Sequence, residues 1–107
     1  MSKHMFDTQR WSQMTMYEQM GNIGSEVGRA LAAKRSGDQQ RMQGALYRGL
    51  DLFDATAELW AKKQQPLRTR ELLRAREQFV EAIITDKSDD KLEDYFMHFA
   101  IAARSNR

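Results

Sequence analysis

The sequence of 107 residues contains no cysteine, only one proline and only two histidines. Without cysteine, the chain cannot form disulfides, thiolate metal sites or a cysteine nucleophile. No apolar run approaches the roughly 20 residues that a membrane-spanning helix requires. The first residues, MSKHMFDTQRW, lack the apolar segment of a signal peptide. We therefore expect a cytoplasmic protein with no membrane partner.

Sequence signatures of catalysis and of cofactor binding are missing as well. The chain has no phosphate-binding loop, dinucleotide fingerprint or nucleophile elbow. Asp94 and His98 stand four residues apart and would share a helix face, but a surface ion pair explains them better than a metal site. Seven methionines and the aromatic cluster at 95–99 fit an ordinary core. The sequence therefore predicts no enzyme, no cofactor and no metal.

Apolar residues at helical spacing are what the sequence does have. They recur in steps of three and four and predict helices over 16–35, 39–63, 67–85 and 89–104. Local signals mark the ends: Thr15 and Glu18 can form a capping box, Gly37 suits a helix terminus, Asp38 suits an N-cap and Pro66 suits a first turn. Strand-like alternation is absent, so the chain is predicted to be all-α.

Short connections between these helices predict an antiparallel, up-down-up-down four-helix bundle. We expect the bundle to be a single domain over 15–107, preceded by an N-terminal arm over 1–14. Three glycines, Gly21, Gly24 and Gly28, lie on or beside the apolar stripe of the first long helix. A helical glycine costs roughly 1 kcal/mol relative to alanine, so we expect another helix to approach this stripe closely. Gly44 and Gly49 suggest the same for the second helix.

Charged residues flank the apolar stripes of the first three long helices. Together they could form an ionic network near the bundle axis, either as salt bridges that fix helix register or as a polar pocket for a small ligand. We favour the salt bridges. The candidate residues are Glu26, Arg29, Asp51, Asp54, Arg76 and Glu77.

Cations collect around the connection between the second and third long helices. Lys62, Lys63, Arg68 and Arg70 lie there, and Arg104 would return to the same end of an up-down bundle. Such a basic end could bind phosphates of a nucleic acid. The net charge of +2 supports this only weakly, and dipole complementation or solubility is the simpler interpretation.

The chain resembles a small uncharacterised family of prokaryotic helical proteins in four strings: EQMGNIGSEVGRA (18–30), ALYRGLDLFDAT (45–56), LLRAREQF (72–79) and YFMHFAIAAR (95–104). The most specific part is NIGSEVGRA, and the resemblance covers nearly the whole chain. It implies a short helical bundle with no assigned activity, so it transfers no functional residue.

Surplus apolar residues in the arm suggest a protein that binds protein. Our first hypothesis is a bundle that forms a homo-oligomer, such as a dimer, or docks onto a protein partner. The expected interface residues are Phe6, Trp11, Met14 and Trp60. The alternatives are a nucleic-acid-binding accessory protein that uses the basic end, and a small-ligand binder that uses the polar pocket.

Overall fold

The computed structural model describes residues 7–85 and 90–105 of the chain. Helices account for nearly all of this part, and no strand occurs in it. The prediction of an all-α protein is thereby confirmed. Its helices are α1 (Thr8–Gln13), α2 (Met16–Ser36), α3 (Gln39–Lys62), α4 (Pro66–Ile84) and α5 (Asp90–Ser105).

Helix ends lie where the local sequence signals predict them. The Thr15 side chain accepts a hydrogen bond from the backbone of Glu18, whose carboxylate accepts one from Thr15 N–H, so the capping box is confirmed. Gly37 ends α2 with a φ of 79°, a left-handed conformation that glycine adopts without steric cost. Asp38 caps α3, and Pro66 begins α4. The cap expected at Ser88 or Asp89 lies outside the described residues.

The expected N-terminal arm is not a separate element where the structure describes it. Asp7 caps the short helix α1 by accepting a hydrogen bond from Arg10 N–H. Trp11 of this helix is only 7% exposed and belongs to the same buried cluster as the side chains of α2–α5. Residues 7–14 of the arm therefore pack on the flank of their own chain.

Aromatic rings from three helices meet in the core. The Phe53 ring of α3 lies with its centroid 6.0 Å from that of Phe79 on α4 and 6.0 Å from that of Phe96 on α5. Ring pairs at this separation add to the free energy gained by burial alone. Ile23 and Val27 are fully buried on the α2 side of the same cluster. Helix α2 lies against α3 and α5, whereas α4 has its main contacts with α3.

The predicted close approach to α2 occurs at two of its three glycines. A Cβ atom on Gly24 would lie 2.6 Å from the Cβ of Phe96, and one on Gly21 would lie 3.6 Å from the Cα of Ala100. Helix α5 therefore lies close to the backbone of α2 at both positions. A Cβ on Gly28 would meet nothing within 4 Å, so the expectation was wrong there.

Of the two glycines of α3, one has a close neighbouring helix and the other does not. A Cβ on Gly49 would lie 3.0 Å from the Phe79 ring of α4, which is the expected tight contact. A Cβ on Gly44 would meet only the side chain of Arg48 from its own helix, so the expectation of a close neighbouring helix was wrong at Gly44.

Candidate functional site

Glu26 is the best enclosed member of the predicted ionic network. Its side chain is 13% exposed and accepts a hydrogen bond from Arg48 Nε at 3.2 Å, while Arg29 Nη1 lies 3.3 Å from the other carboxylate oxygen. Arg29 and Arg48 are themselves more than half exposed. The Glu26 carboxylate is thus neutralised by one arginine of its own helix and one of α3, which ties α2 to α3.

Asp54 and Arg76 form a second and separate ion pair. Arg76 Nε donates to one Asp54 oxygen at 2.8 Å and Nη2 approaches the other at 3.4 Å, a forked geometry that connects α3 to α4. Asp51 and Glu77 are exposed and make no ion pair within the described residues. The expectation of one network near the bundle axis was therefore wrong, because its members join different pairs of helices near the surface.

Trp11 and Trp60, predicted as interface residues, lie in the core of the chain and are each 7% exposed. The indole N–H of Trp11 donates to Thr56 Oγ1 at 2.8 Å, and that of Trp60 donates to Gln19 Oε1 at 3.0 Å. Gln19 Nε2 in turn donates to the Trp11 carbonyl at 2.8 Å. Neither ring is open to a partner. Their predicted interface role was wrong because each indole is matched by a polar group of the chain itself.

The other two predicted interface residues, Met14 and Phe6, offer no evidence for an interface. Met14 is half-buried and packs against the core of its own chain. Phe6 lies outside the described residues.

The sequence analysis did not identify Gln19 and Thr56 as acceptors for the two indole N–H groups, although both lie at apolar-stripe positions. A polar side chain in an otherwise apolar helical stripe was the sequence feature that could have predicted a buried hydrogen bond there.

The predicted basic residues lie at the same end of the helices, because the start of α2 contacts Trp60 near the end of α3, but in two different grooves. Lys62, Lys63, Arg68 and Arg70 are exposed around the connection between α3 and α4, and Lys62 Nζ lies 3.7 Å from a Glu58 oxygen. Arg104 lines a different groove, between α2 and α5. The four cations near the connection therefore remain a candidate phosphate-binding surface.

The outer side of α4 was not singled out from the sequence. Leu67, Leu73 and Ile84 on this helix are 77%, 42% and 73% exposed, although its inner side fills the core. Two open grooves of about 780 and 600 Å³ follow the helix from Pro66 to Thr85 and share Arg74 and Glu77. α4 thus offers a continuous, exposed face that combines apolar and charged side chains.

Tyr95 packs against the core and places a polar hydroxyl group there. Its hydroxyl is buried and has no hydrogen-bond partner of normal geometry among the described residues. Burial, and after it the negative charge of Glu71 on α4, raises the pKa of the Tyr95 hydroxyl above its ordinary value. The Glu71 carboxylate lies close enough to the hydroxyl to oppose its ionisation. Tyr95 therefore stays neutral at physiological pH.

The described residues contain neither a metal cluster nor a membrane-spanning helix. No group of three or more acidic or histidine side chains is placed to hold a metal ion within 7–85 and 90–105. None of the described helices has the length and hydropathy needed to cross a bilayer. A comparison with protein-family profiles, curated proteins and solved structures found no match to the chain.

Proposed function

We propose that the chain is a non-enzymatic protein that acts by binding protein, and first of all by associating with its own copies. The observation that carries this proposal is the second face of α4. Leu72, Ala75 and Phe79 bury the inner face of this helix. Leu67 and Ile84, at its two ends, are 77% and 73% exposed. A partner that covers both side chains would remove apolar surface from water.

Sedimentation velocity over a range of protein concentrations tests this proposal. Self-association predicts a weight-average mass that rises above the 12.5 kDa of one chain as concentration increases. The double variant L67S/I84S should reduce that rise, because it removes the exposed apolar groups and leaves the core unchanged. Tyr47→Ser is the matched control, since Tyr47 is 60% exposed on α3. A chain that stays monomeric at its highest soluble concentration would refute self-association.

Nucleic-acid binding is the second candidate function. It is supported by the exposure of Lys62, Lys63, Arg68 and Arg70 around one helix connection, where phosphates could approach all four. Binding to a labelled RNA or DNA should then weaken steeply as salt increases. Charge reversal at Lys63 and Arg68 should abolish it, while reversal at Arg41, on the far end of α3, should not. Absence of binding at low salt would reject this candidate.

We also infer that α2–α5 form an up-down-up-down bundle. Gln19, near the start of α2, bonds to Trp60 near the end of α3, as expected for antiparallel neighbours. Lys34, near the end of α2, donates to carbonyls of Ala82 and Thr85 at the end of α4, as expected for parallel helices on a diagonal. Nuclear Overhauser contacts between these side chains test the topology, and their absence in a folded sample would contradict it.

A further inference from the structure

We propose that the partner of α4 is the α4 helix of a second copy, bound antiparallel about a two-fold axis that passes between Ala75 and Arg76. The proposal rests on the self-association proposed above and assigns it a surface, an orientation and a register. Six exposed residues carry it, and they follow one another in steps of three, four, three, four and three. The outer stripe of α4 is Leu67, Arg70, Arg74, Glu77, Glu81 and Ile84.

The outer stripe follows one side of α4 from end to end. Alternating steps of three and four keep its residues on the same side of the helix. All six residues are exposed, and the buried residues of α4, such as Leu72, Ala75 and Phe79, lie on the opposite side. A second helix can therefore lie along the stripe without disturbing the core.

The order of residue types along the outer stripe is self-complementary when two copies run in opposite directions. Because the two-fold axis passes between Ala75 and Arg76, two residues face each other across the seam when their numbers add up to 151. Leu67 then faces Ile84 of the second copy. Arg70 faces Glu81, and Arg74 faces Glu77. The symmetry repeats each contact, so the seam contains four arginine–glutamate contacts between two apolar contacts.

Charge selects this orientation over the others. Within one chain, Arg70 and Arg74 are like charges four residues apart, an arrangement that disfavours an isolated helix. Neither arginine has an ion-pair partner within the described residues, and Glu77 has none there either. Antiparallel pairing supplies each of these three with an opposite charge. A parallel pairing in register would place arginine against arginine and glutamate against glutamate.

The size of the seam predicts the strength of the association. Helix α4 has 19 residues, so it is about 28 Å long at about 1.5 Å of rise per residue. A seam between two helices of this length is at the small end of specific interfaces. We therefore expect a dimer that forms reversibly as concentration rises.

Charge reversal and charge exchange test the register. Arg74→Glu places glutamate against Glu77 of the second copy, and Glu77→Arg places arginine against Arg74, so each single variant should lose the dimer. The double variant R74E/E77R restores opposite charges and should regain it. A mixture of the two single variants should form a heterodimer that neither forms alone, which also shows that both variants fold. Arg41→Glu, a reversal at an exposed arginine of α3, should leave the dimer unchanged.

Each outcome distinguishes the seam from self-association in general. Recovery of the 25 kDa species (about twice 12.5 kDa) by R74E/E77R and by the mixture supports the α4 seam. A wild-type dimer that persists in both single variants would overturn the seam and leave self-association standing. A wild-type chain that is monomeric at every concentration would overturn both. Light scattering after size exclusion measures the mass in all six samples, and circular dichroism checks that each keeps its helix content.

Discussion

Gly24 and Gly28 occupy the same helix, four residues apart, yet they differ in what would surround an added side chain. A Cβ on Gly24 would lie 2.6 Å from the Cβ of Phe96, which is next to the backbone of α5 and cannot move aside cheaply. A Cβ on Gly28 would meet nothing within 4 Å. We expect Gly28→Ala to raise the free energy of unfolding by about 0.5–1 kcal/mol, the gain of alanine over glycine in a helix.

We expect Gly24→Ala to lower the free energy of unfolding instead, because repulsion from Phe96 outweighs the helix-propensity gain. Overpacked core positions lose about 1–3 kcal/mol. Urea unfolding of the two variants beside the wild type measures both effects. The two substitutions are chemically identical, so the difference between them reports only the approach of α5. Equal stabilisation by both would mean that α5 does not lie against Gly24.

Tyr95 gives the chain a dependence on alkaline pH. The pKa of its hydroxyl is raised by burial and by Glu71, while an unfolded phenol ionises near pH 10. The unfolded state therefore loses its proton first. The stability that Tyr95 contributes is fully present below about pH 10 and decreases as pH rises beyond it.

Tyr95→Phe should remove that part of the alkaline loss. It should change stability little at neutral pH, because the hydroxyl that it deletes has no normal hydrogen bond among the described residues. Thermal unfolding of both proteins between about pH 8 and 11 makes the comparison. An unchanged alkaline profile in the variant would show that Tyr95 ionises freely in the folded chain.

Lys34 connects the end of helix α2 to the end of helix α4. Its amino group donates to the Ala82 carbonyl at 2.6 Å and to the Thr85 carbonyl, so a cation of α2 neutralises the negative end of the α4 dipole. Lys34→Met keeps the apolar part of the side chain and removes both bonds. We expect a loss of about 1 kcal/mol in the free energy of unfolding.

Arg35→Met is the matched control for Lys34. Arg35 forms an exposed ion pair with Glu93 at 3.3 Å, and such surface pairs contribute about 0–1 kcal/mol. Hydrogen exchange adds a readout specific to the element, since Lys34→Met should accelerate exchange in the last turn of α4. Equal effects of the two substitutions on that turn would contradict the capping role.

Helix ends could be predicted from the sequence because their signals are local. The Thr15–Glu18 capping box, the left-handed Gly37 and the first-turn Pro66 each depend on neighbours within four residues. The environment of Trp11 could not be predicted in this way. Its acceptor, Thr56, is 45 residues distant in the chain, and a large aromatic side chain in a polar segment suits an interface as well as a core.

The outer stripe of α4 could not be predicted from the sequence for a different reason. Periodicity of apolar residues reveals the face that a helix buries in its own chain, and four of the six residues in this stripe are charged. Their order becomes informative only after the structure shows that Leu72 and Phe79 face inward. The predicted ionic network failed similarly, since sequence spacing places a charge on a helix but does not choose which neighbouring helix it meets.

At the scale of the whole molecule, the two candidate functions compete for one residue. Arg70 belongs both to the cations around the connection between α3 and α4 and to the outer stripe of α4. A nucleic acid bound there would occupy the arginine that the second copy needs. Added RNA should therefore shift the wild-type chain towards monomer if both functions exist, whereas a purely self-associating chain would not respond.

Ionic strength tests the physical origin of association in the intact chain. The proposed seam contains exposed arginine–glutamate contacts, which salt screens with a Debye length of about 3 Å at 1 M. We expect wild-type dimer to weaken as sodium chloride increases and the charge-exchanged variant R74E/E77R to weaken in parallel. The neutral variant R74Q/E77Q should depend less on salt, because only its apolar contacts and one class of ion pair remain. Dimerisation that strengthens with salt would instead mean that Leu67 and Ile84 dominate, since salting-out favours apolar contacts and screening opposes ionic ones.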